Sequence, residues 1–422
     1  MKNFDWQTTE KKFFINTKEE WKIDVMFEAL NFLGNPNKKI ESKVIHVAGT
    51  NGKGSTANYI KTILEKAGYN VGLFTSPHLI EYNERIYFNG RYATDEEIEL
   101  CKQEILKKCK NVNDISFFEA TTLIAIMLFS NYFNNKDFKP LDYFIFEVGL
   151  GGRLDATNIF LHPLASVITS ISFDHMNFLG YSLDKIAYEK SGIIKEKTPV
   201  FTSNTNQEVI DVLQEVADQK HTHLYRLGRD FQLDSNLTPS LQGKHQIYNA
   251  TLAKEVCKYI GIDEKYIKEG IKNTEWKGRL QEIKLKNINN NDLNIKQIYL
   301  DGAHNEDGIK VLCDFIKSKK DINTNIIGIY SVLKRKDYKN FFKFFKDNVF
   351  DKMLFYKVPE DVNDFVDCKE LEENAKENNI SSCSILDFNE LNKYVSKQKE
   401  NIIFIFGSLY FVGFVLENYV DC

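Results

Sequence analysis

Short apolar runs alternate with longer amphipathic stretches along most of the chain, a rhythm that predicts strands separated by helices. The runs "VIHVAG", "VGLFTS", "DYFIFEVG", "ASVITSI" and "TPVFTS" read as strands, and helices are expected near 55–67, 95–109, 117–133, 182–195 and 206–219. Ala57, Ile60, Ile63, Leu64 and Ala67 fall on one face of the first helix, with Gly68 placed to end it. Thr94 and Glu97 have the spacing of a capping box ahead of Ile98, Cys101 and Ile105. The longest apolar run, "ATTLIAIMLF" at 120–129, is too short for a membrane span, which takes roughly 20 residues, and reads as a buried helix. Such alternation implies an α/β fold with a mainly parallel sheet, whose ligands bind at the carboxyl ends of the strands.

The stretch "KLKNINNNDLN" at 284–294 interrupts the rhythm, which resumes with "QIYLDGAHN", "NIIGIYS", "KMLFYKV" and "NIIFIFGS". The expected organisation is an N-terminal domain over 1–285, a linker over 286–294 and a smaller Rossmann-like α/β domain over 295–422. A chain of 422 residues is too long for one ordinary core and fits two. Its 43% hydrophobic and 27% charged residues are those of a globular protein, and a net charge of −4 argues against a nucleic-acid partner. The polar opening "MKNFDWQTTEKKFF" lacks the apolar core of a signal peptide, and the seven cysteines show no paired C-x-x-C spacing. The expectation is a cytoplasmic monomer that engages no membrane.

Candidate chemistry gathers at the predicted strand ends. In "HVAGTNGKGST" at 46–56 a glycine loop leads from a strand into a helix, so backbone N–H groups and the helix dipole converge on one point that suits an anion. Lys53 adds a full charge and Ser55 a hydroxyl able to reach Mg²⁺, although Gly54 between them departs from the usual phosphate-loop spelling. Ser76, Pro77 and His78 follow the second strand, where a phosphate or substrate could reach them. In "FEVGLGGRLDATN", Glu147 ends an apolar strand, where a carboxylate wants a cation, and a glycine loop runs on to Asp155. Mg²⁺ prefers such hard oxygen ligands. Asp174 and His175 end another strand, and Asp301, His304 and Ser408 follow strands of the second domain. On the residues alone, Lys190 in "IAYEKSGIIK" reads as a solvated helix lysine.

Together these segments resemble the folylpolyglutamate synthase and dihydrofolate synthase family of the Mur ligase superfamily. "HVAGTNGKGS", "TSPHL", "EVGLGGRLDATN", "DH", "EKSGIIK", "GKHQIYNA", "WKGR", "DGAHN" and "GSLYFVG" occur in the family's order from residue 46 to residue 413, and the loop's spelling is the family's own. The resemblance implies ATP-dependent ligation, in which a carboxylate takes the γ-phosphoryl group and the amine of L-glutamate displaces phosphate from the acyl phosphate. Thr50, Asn51, Gly52, Lys53, Gly54, Ser55 and Thr56 would line the phosphates, with Lys53 at the β and γ positions. Ser55 and Glu147 would hold one Mg²⁺, and Ser76 and His175 would help hold a second. Lys190 matches a position carried as a carbamate, which reverses its solvated reading. Asn249 and Arg279 would contact the nucleotide from the first domain and Asp301 from the second. His304 and Ser408 would meet the incoming glutamate, His304 also serving catalysis. Ser76, Pro77, His78, Arg85 and Asp155 would face the dihydropteroate or folate acceptor. The stretch "LNFLGNP" is typical of bacterial members that act on both acceptors.

Two other readings compete. A muramyl peptide ligase would carry a uridine-nucleotide domain of about a hundred residues, whereas 48 residues precede Gly49 here. A nucleotide-dependent switch would need no amine site, and no N-K-x-D guanine-recognition string occurs.

Overall fold

The computed structural model describes residues 22–109, 115–286, 293–359 and 364–420. By their internal contacts these form two compact units. Of the described residues, the first unit takes those up to His78 with those of Asn83–Thr238 and Tyr248–Asn273, and the second takes Leu79–Tyr82, Pro239–Ile247 and those from Thr274 on.

The first unit is built on eight strands: β1 (Val44–Ala48), β2 (Val71–Phe74), β3 (Ile86–Phe88), β4 (Arg91–Tyr92), β5 (Tyr143–Glu147), β6 (Ala165–Ile168), β7 (Val200–Thr202) and β8 (Leu224–Arg226). They lie in the order β4-β3-β2-β5-β1-β6-β7-β8, parallel from β2 to β8, with β3 and β4 added antiparallel at one edge. All five expected strands are present. Their continuous apolar spelling follows from the burial of both faces, as in β1, where every residue is buried. The helices Lys53–Lys66, Asp95–Lys108, Phe117–Phe129 and Gln207–Gln219 stand close to their expected spans. Thr94 and Glu97 close the expected capping box, and Ser116 and Glu119 close a second.

The helix expected over 182–195 is shorter, Leu183–Ser191. The chain turns at Gly192, where a Cβ would stand 2.3 Å from the Cα of Arg153. This end of the helix is therefore pressed directly against the glycine loop that follows β5. Ile186, Ala187, Ile193 and Ile194 join Ile168 and Val200 in the core beneath it.

The second unit carries β9 (Gln281–Glu282), β10 (Ile295–Asp301), β11 (Thr324–Tyr330), β12 (Lys352–Tyr356), β13 (Ser382–Ile385) and β14 (Glu400–Phe406). Their order is β13-β12-β11-β14-β10-β9, with only β9 antiparallel. Period-two alternation divides the side chains: Tyr299, Tyr330, Phe355 and Phe404 fill one face, and Ile298, Leu300, Ile329 and Ile405 the other. Pairing of Gln281 with Leu300 and Glu282 with Tyr299 draws residues from Thr274 onward into this unit, so the expected boundary at 285 lies within it. Most of the expected linker at 286–294 falls outside the described residues.

Candidate active site

Strand order decides which sequence motifs can meet. With β2, β5, β1 and β6 side by side, Phe74 is level with Phe146, Val47 with Glu147 and Ala48 with Ile168. The carboxyl ends of these four strands therefore place Ser76, Glu147, the Gly49–Ser55 loop and the Thr169–His175 segment along one edge.

The loop leaves β1 at Gly49 and enters the helix Lys53–Lys66 through Gly52 at φ 85°. A Cβ on Gly52 would also lie 2.4 Å from Asn249 Oδ1, so this position has no room for a side chain. The segment after β6 pins the loop. Thr50 N donates to Ser170 O at 2.7 Å, Thr169 Oγ1 donates to Asn51 O at 2.7 Å, and Thr50 Oγ1 donates to Ser172 O at 3.0 Å. Thr56 begins the helix ladder by donating to Gly52 O at 2.9 Å. The loop is thus preorganised with the first turn of a helix behind it, a setting that favours anions.

Two lysines meet on one carbonyl of this loop. Lys53 Nζ donates to Gly49 O and Thr50 O, each at 3.1 Å, and Lys190 Nζ donates to Gly49 O at 2.9 Å. Lys190 is only 4% exposed, which overturns its reading as a solvated helix lysine. The reason is the tight seat of its helix end: a Cβ on Gly152 would come within 2.9 Å of the Glu189 and Lys190 carbonyls. Arg153 N donates to Glu189 O, and the Arg153 guanidinium pairs with the Glu189 carboxylate at 2.9 Å. Burial, and then the charge of Lys53, pull the Lys190 pKa from 10.5 down to about 7; Asp174, Asp155 and Glu189 act in the opposite direction.

Glu147 is buried at the end of β5, and its Oε2 accepts from Ser76 N at 3.2 Å. Ser55 is buried in the first turn of its helix. His175 stands in the left-handed region at φ 51°, its side chain 40% exposed and 3.7 Å from Asp174 Oδ1. Among the described residues no group of three or more His, Cys, Asp and Glu could hold a metal ion. A metal here would draw on the Ser55 and Ser76 hydroxyls as well as the Glu147 carboxylate, an oxygen set of the kind that suits a partly hydrated Mg²⁺.

The expected acceptor residues divide by what their polar atoms already do. His78 Nδ1 accepts from Arg85 Nε at 2.8 Å, and burial together with the Arg85 charge holds the His78 pKa near 3. His78 is therefore neutral and orients Arg85, whose buried guanidinium lies 5.3 Å from the centre of the Phe117 ring. Asp155 is buried with burial raising its pKa, and donors of its own loop occupy both its oxygens: Gly149 N, Leu150 N, Thr157 N and Thr157 Oγ1. Those bonds fold the loop. Thr169 and Thr157, which shape the site in this way, carry no signal beyond an ordinary hydroxyl in the sequence.

In the second unit, Asp301 at the end of β10 accepts from Leu280 N and Ala303 N, both at 2.9 Å. Burial raises its pKa and the Arg279 charge offsets part of that. Arg279, expected to act from the first domain, stands in this unit with Asp301 because β9 joins the second sheet. His304 Nδ1 lies 2.6 Å from Gly302 O, which can only accept, so Nδ1 carries the proton. Ser408 caps the helix Leu409–Tyr419, its Oγ accepting from Tyr410 N at 3.2 Å. His245, which the sequence reading did not single out, is held near pKa 4 by burial and the Arg279 charge.

Comparison with known proteins places this arrangement. The Mur ligase middle domain matches residues 47–257, and the dihydrofolate synthetase C-terminal domain matches residues 281–418. The dihydrofolate synthase/folylpolyglutamate synthase of Bacillus subtilis (strain 168) is 35% identical over 342 residues, 74% of this chain and 75% of that protein. Its counterpart in Buchnera aphidicola is 32% identical over 397 residues, 89% of this chain and 87% of its own. Among solved structures, E. coli FolC in complex with DHPP and ADP is 27% identical with a TM-score of 0.81, covering 95% of this chain and 94% of that one. The folylpolyglutamate synthase of Thermotoga maritima is 29% identical with a TM-score of 0.79, covering 98% and 96%. The two-unit α/β architecture, the glycine loop at a strand end and these matches along most of the chain together show that it belongs to the dihydrofolate synthase/folylpolyglutamate synthase family of Mur-type ligases.

Proposed function

We propose that the chain is an ATP-dependent carboxylate–amine ligase that adds L-glutamate to dihydropteroate, to the glutamyl tail of reduced folates, or to both. The observation that carries this reading is the pair of lysines on the Gly49 carbonyl, one of them buried with its pKa near 7, beside a buried strand-end carboxylate. The match of the second half to a dihydrofolate synthetase domain favours a folate acceptor over a muramyl peptide.

Lys53 follows charge developing on the γ-phosphoryl group, while the helix N-terminus and the Thr50–Thr56 loop hold the phosphates. Asn249, set against Gly52, contacts the nucleotide from the first unit; Arg279 and Asp301 are the nucleotide residues of the second. Mg²⁺, when bound, neutralises charge on the transferring group. Its residues are Ser55 and Glu147 for one ion, with Ser76 and His175 for a second. Lys190, once its ammonium has lost a proton, adds as a neutral amine to CO₂ to form a carbamate and releases a second proton, so that a cation gives way to an anionic oxygen pair. His304 and Ser408 receive L-glutamate, His304 also serving catalysis, and Arg85, held by His78 next to Ser76 and Pro77, faces the acceptor with Asp155 shaping its loop. In this reading the enzyme works as a monomer in the cytoplasm; among the described residues no helix is long and apolar enough to cross a membrane.

ATP turnover should require both L-glutamate and an acceptor. Offering dihydropteroate and a reduced folate separately measures the acceptor range, and turnover that ignores both amine and acceptor would favour a nucleotide switch. Gly52→Ala should lower kcat by about a hundredfold, since a Cβ would displace the loop or Asn249 by about an ångström. A near-normal rate in that variant would mean the loop does not position the reacting phosphate.

A further inference from the structure

One buried line of hydrogen bonds reaches Asp155 from the strand that feeds the glycine loop. His46 lies in the middle of β1, fully buried, three residues before Gly49. Its Nε2 is 2.8 Å from Thr157 Oγ1, and Thr157 Oγ1 is 2.5 Å from Asp155 Oδ1. A hydroxyl has one proton, and an ionised carboxylate only accepts, so that proton goes to Asp155. The imidazole must then donate to Thr157, which places its own proton on Nε2 and leaves Nδ1 bare. Nδ1 is indeed buried without a hydrogen-bond partner among the described residues, as a bare ring nitrogen would be.

Asp155 passes the constraint onward. Its Oδ2 accepts from Gly149 N at 3.1 Å and from Leu150 N at 2.9 Å, the second and third residues after Glu147. The His46 ring stands edge-on to Phe160, and Phe160 packs on Phe146, so the line runs through an apolar shell in which hydrogen bonds hold direction well. It links the strand that feeds the phosphate loop to the loop that leaves Glu147, independently of the sheet ladder.

We propose that His46, Thr157 and Asp155 form a positioning relay, with His46 as a fixed Nε2–H donor, that sets the Gly149–Gly152 loop and thereby aims the Glu147 carboxylate. The metal's part in this rests on the ligase reading; the relay itself rests on the hydrogen bonds. Such supporting partners typically govern tenfold or more in metal affinity.

The test uses the full chain with its eight histidines labelled with ¹⁵N, the His46 signals being assigned by their loss in H46Q. His46 should show a protonated Nε2 and a bare Nδ1 from pH 5 to 9. Thr157→Val keeps shape and removes the hydroxyl, and Mn²⁺ binding followed by electron paramagnetic resonance should weaken by roughly tenfold. Thr157→Ser should stay within about twofold of the native protein. An Nδ1–H tautomer, a His46 that titrates near neutral pH, or unchanged Mn²⁺ affinity in a folded Thr157→Val variant would overturn the proposal. Should Thr157→Val not fold, the tautomer of the native protein still decides. A native protein that turns over no ATP with glutamate and acceptor would count against the ligase reading, while the tautomer would still uphold or overturn the relay.

Discussion

Lys190→Ala is expected to lower kcat by at least about a hundredfold, and acetate at high concentration is expected to restore part of the loss. The side chain is buried, 2.9 Å from the Gly49 carbonyl of the glycine loop. An ammonium there would oppose any cation bound nearby: two unit charges about 4 Å apart interact by about 4 kcal/mol at an effective dielectric of 20. A pKa drawn down to about 7 leaves the amine neutral by roughly ten to one at pH 8, ready to take up CO₂. The sign follows directly. With the carbamate proposed for Lys190, lowering the pH through 7 protonates the amine and prevents its reaction with CO₂, so activity should fall on that side, and stripping bicarbonate should slow the native enzyme above it. Acetate supplies the missing carboxylate oxygens only where the side chain has been removed. A Lys190→Ala variant of normal rate, or one that acetate leaves unchanged, would mean the side chain serves only to hold Gly49.

Lys53→Ala should lower kcat by about a hundredfold or more, with the fold intact, the scale seen when one group that stabilises a transition state is removed. Lys53 lies in the first turn of its helix with its ammonium on the Gly49 and Thr50 carbonyls, 3.1 Å from each. Those bonds keep it over the loop, where charge on a transferring phosphoryl group would fall within its reach. The helix does not depend on it, because the buried face of Ala57, Ile60, Ile63 and Leu64 holds the helix to the sheet. Steady-state kinetics at saturating ATP distinguish the roles: a rise in KM with unchanged kcat would make Lys53 a ground-state phosphate ligand and no more.

Much of this site could be read from the chain because its parts sit where strands end, and strands buried on both faces announce themselves as apolar runs. The glycine loop at 49–55, Glu147 and the Ser76 turn are all expected at strand ends, and that is where the structure has them. The pattern fails where an element is too short to show a period. The edge strands Ile86–Phe88 and Arg91–Tyr92 are of this kind, as is Gln281–Glu282, whose pairing with β10 moved Arg279 into the second unit. It also fails where a polar residue is buried by something distant. Lys190 falls in a stretch that reads as an amphipathic helix with few other charges, and only the loop at Gly152 and Arg153, nearly forty residues earlier, shows why it is buried. Three of the four donors that hold Asp155 are backbone amides, which no sequence spells out.

The most direct test of ligation follows one oxygen atom. If an acceptor carboxylate takes the γ-phosphoryl group and the glutamate amine then displaces phosphate, one carboxylate oxygen must leave with the phosphate. Dihydropteroate labelled with heavy oxygen in its carboxylate, incubated with the enzyme, ATP, Mg²⁺ and L-glutamate, should release phosphate carrying one labelled oxygen for each amide formed. Phosphate whose new oxygen comes from water, with the acceptor unchanged, would contradict the account.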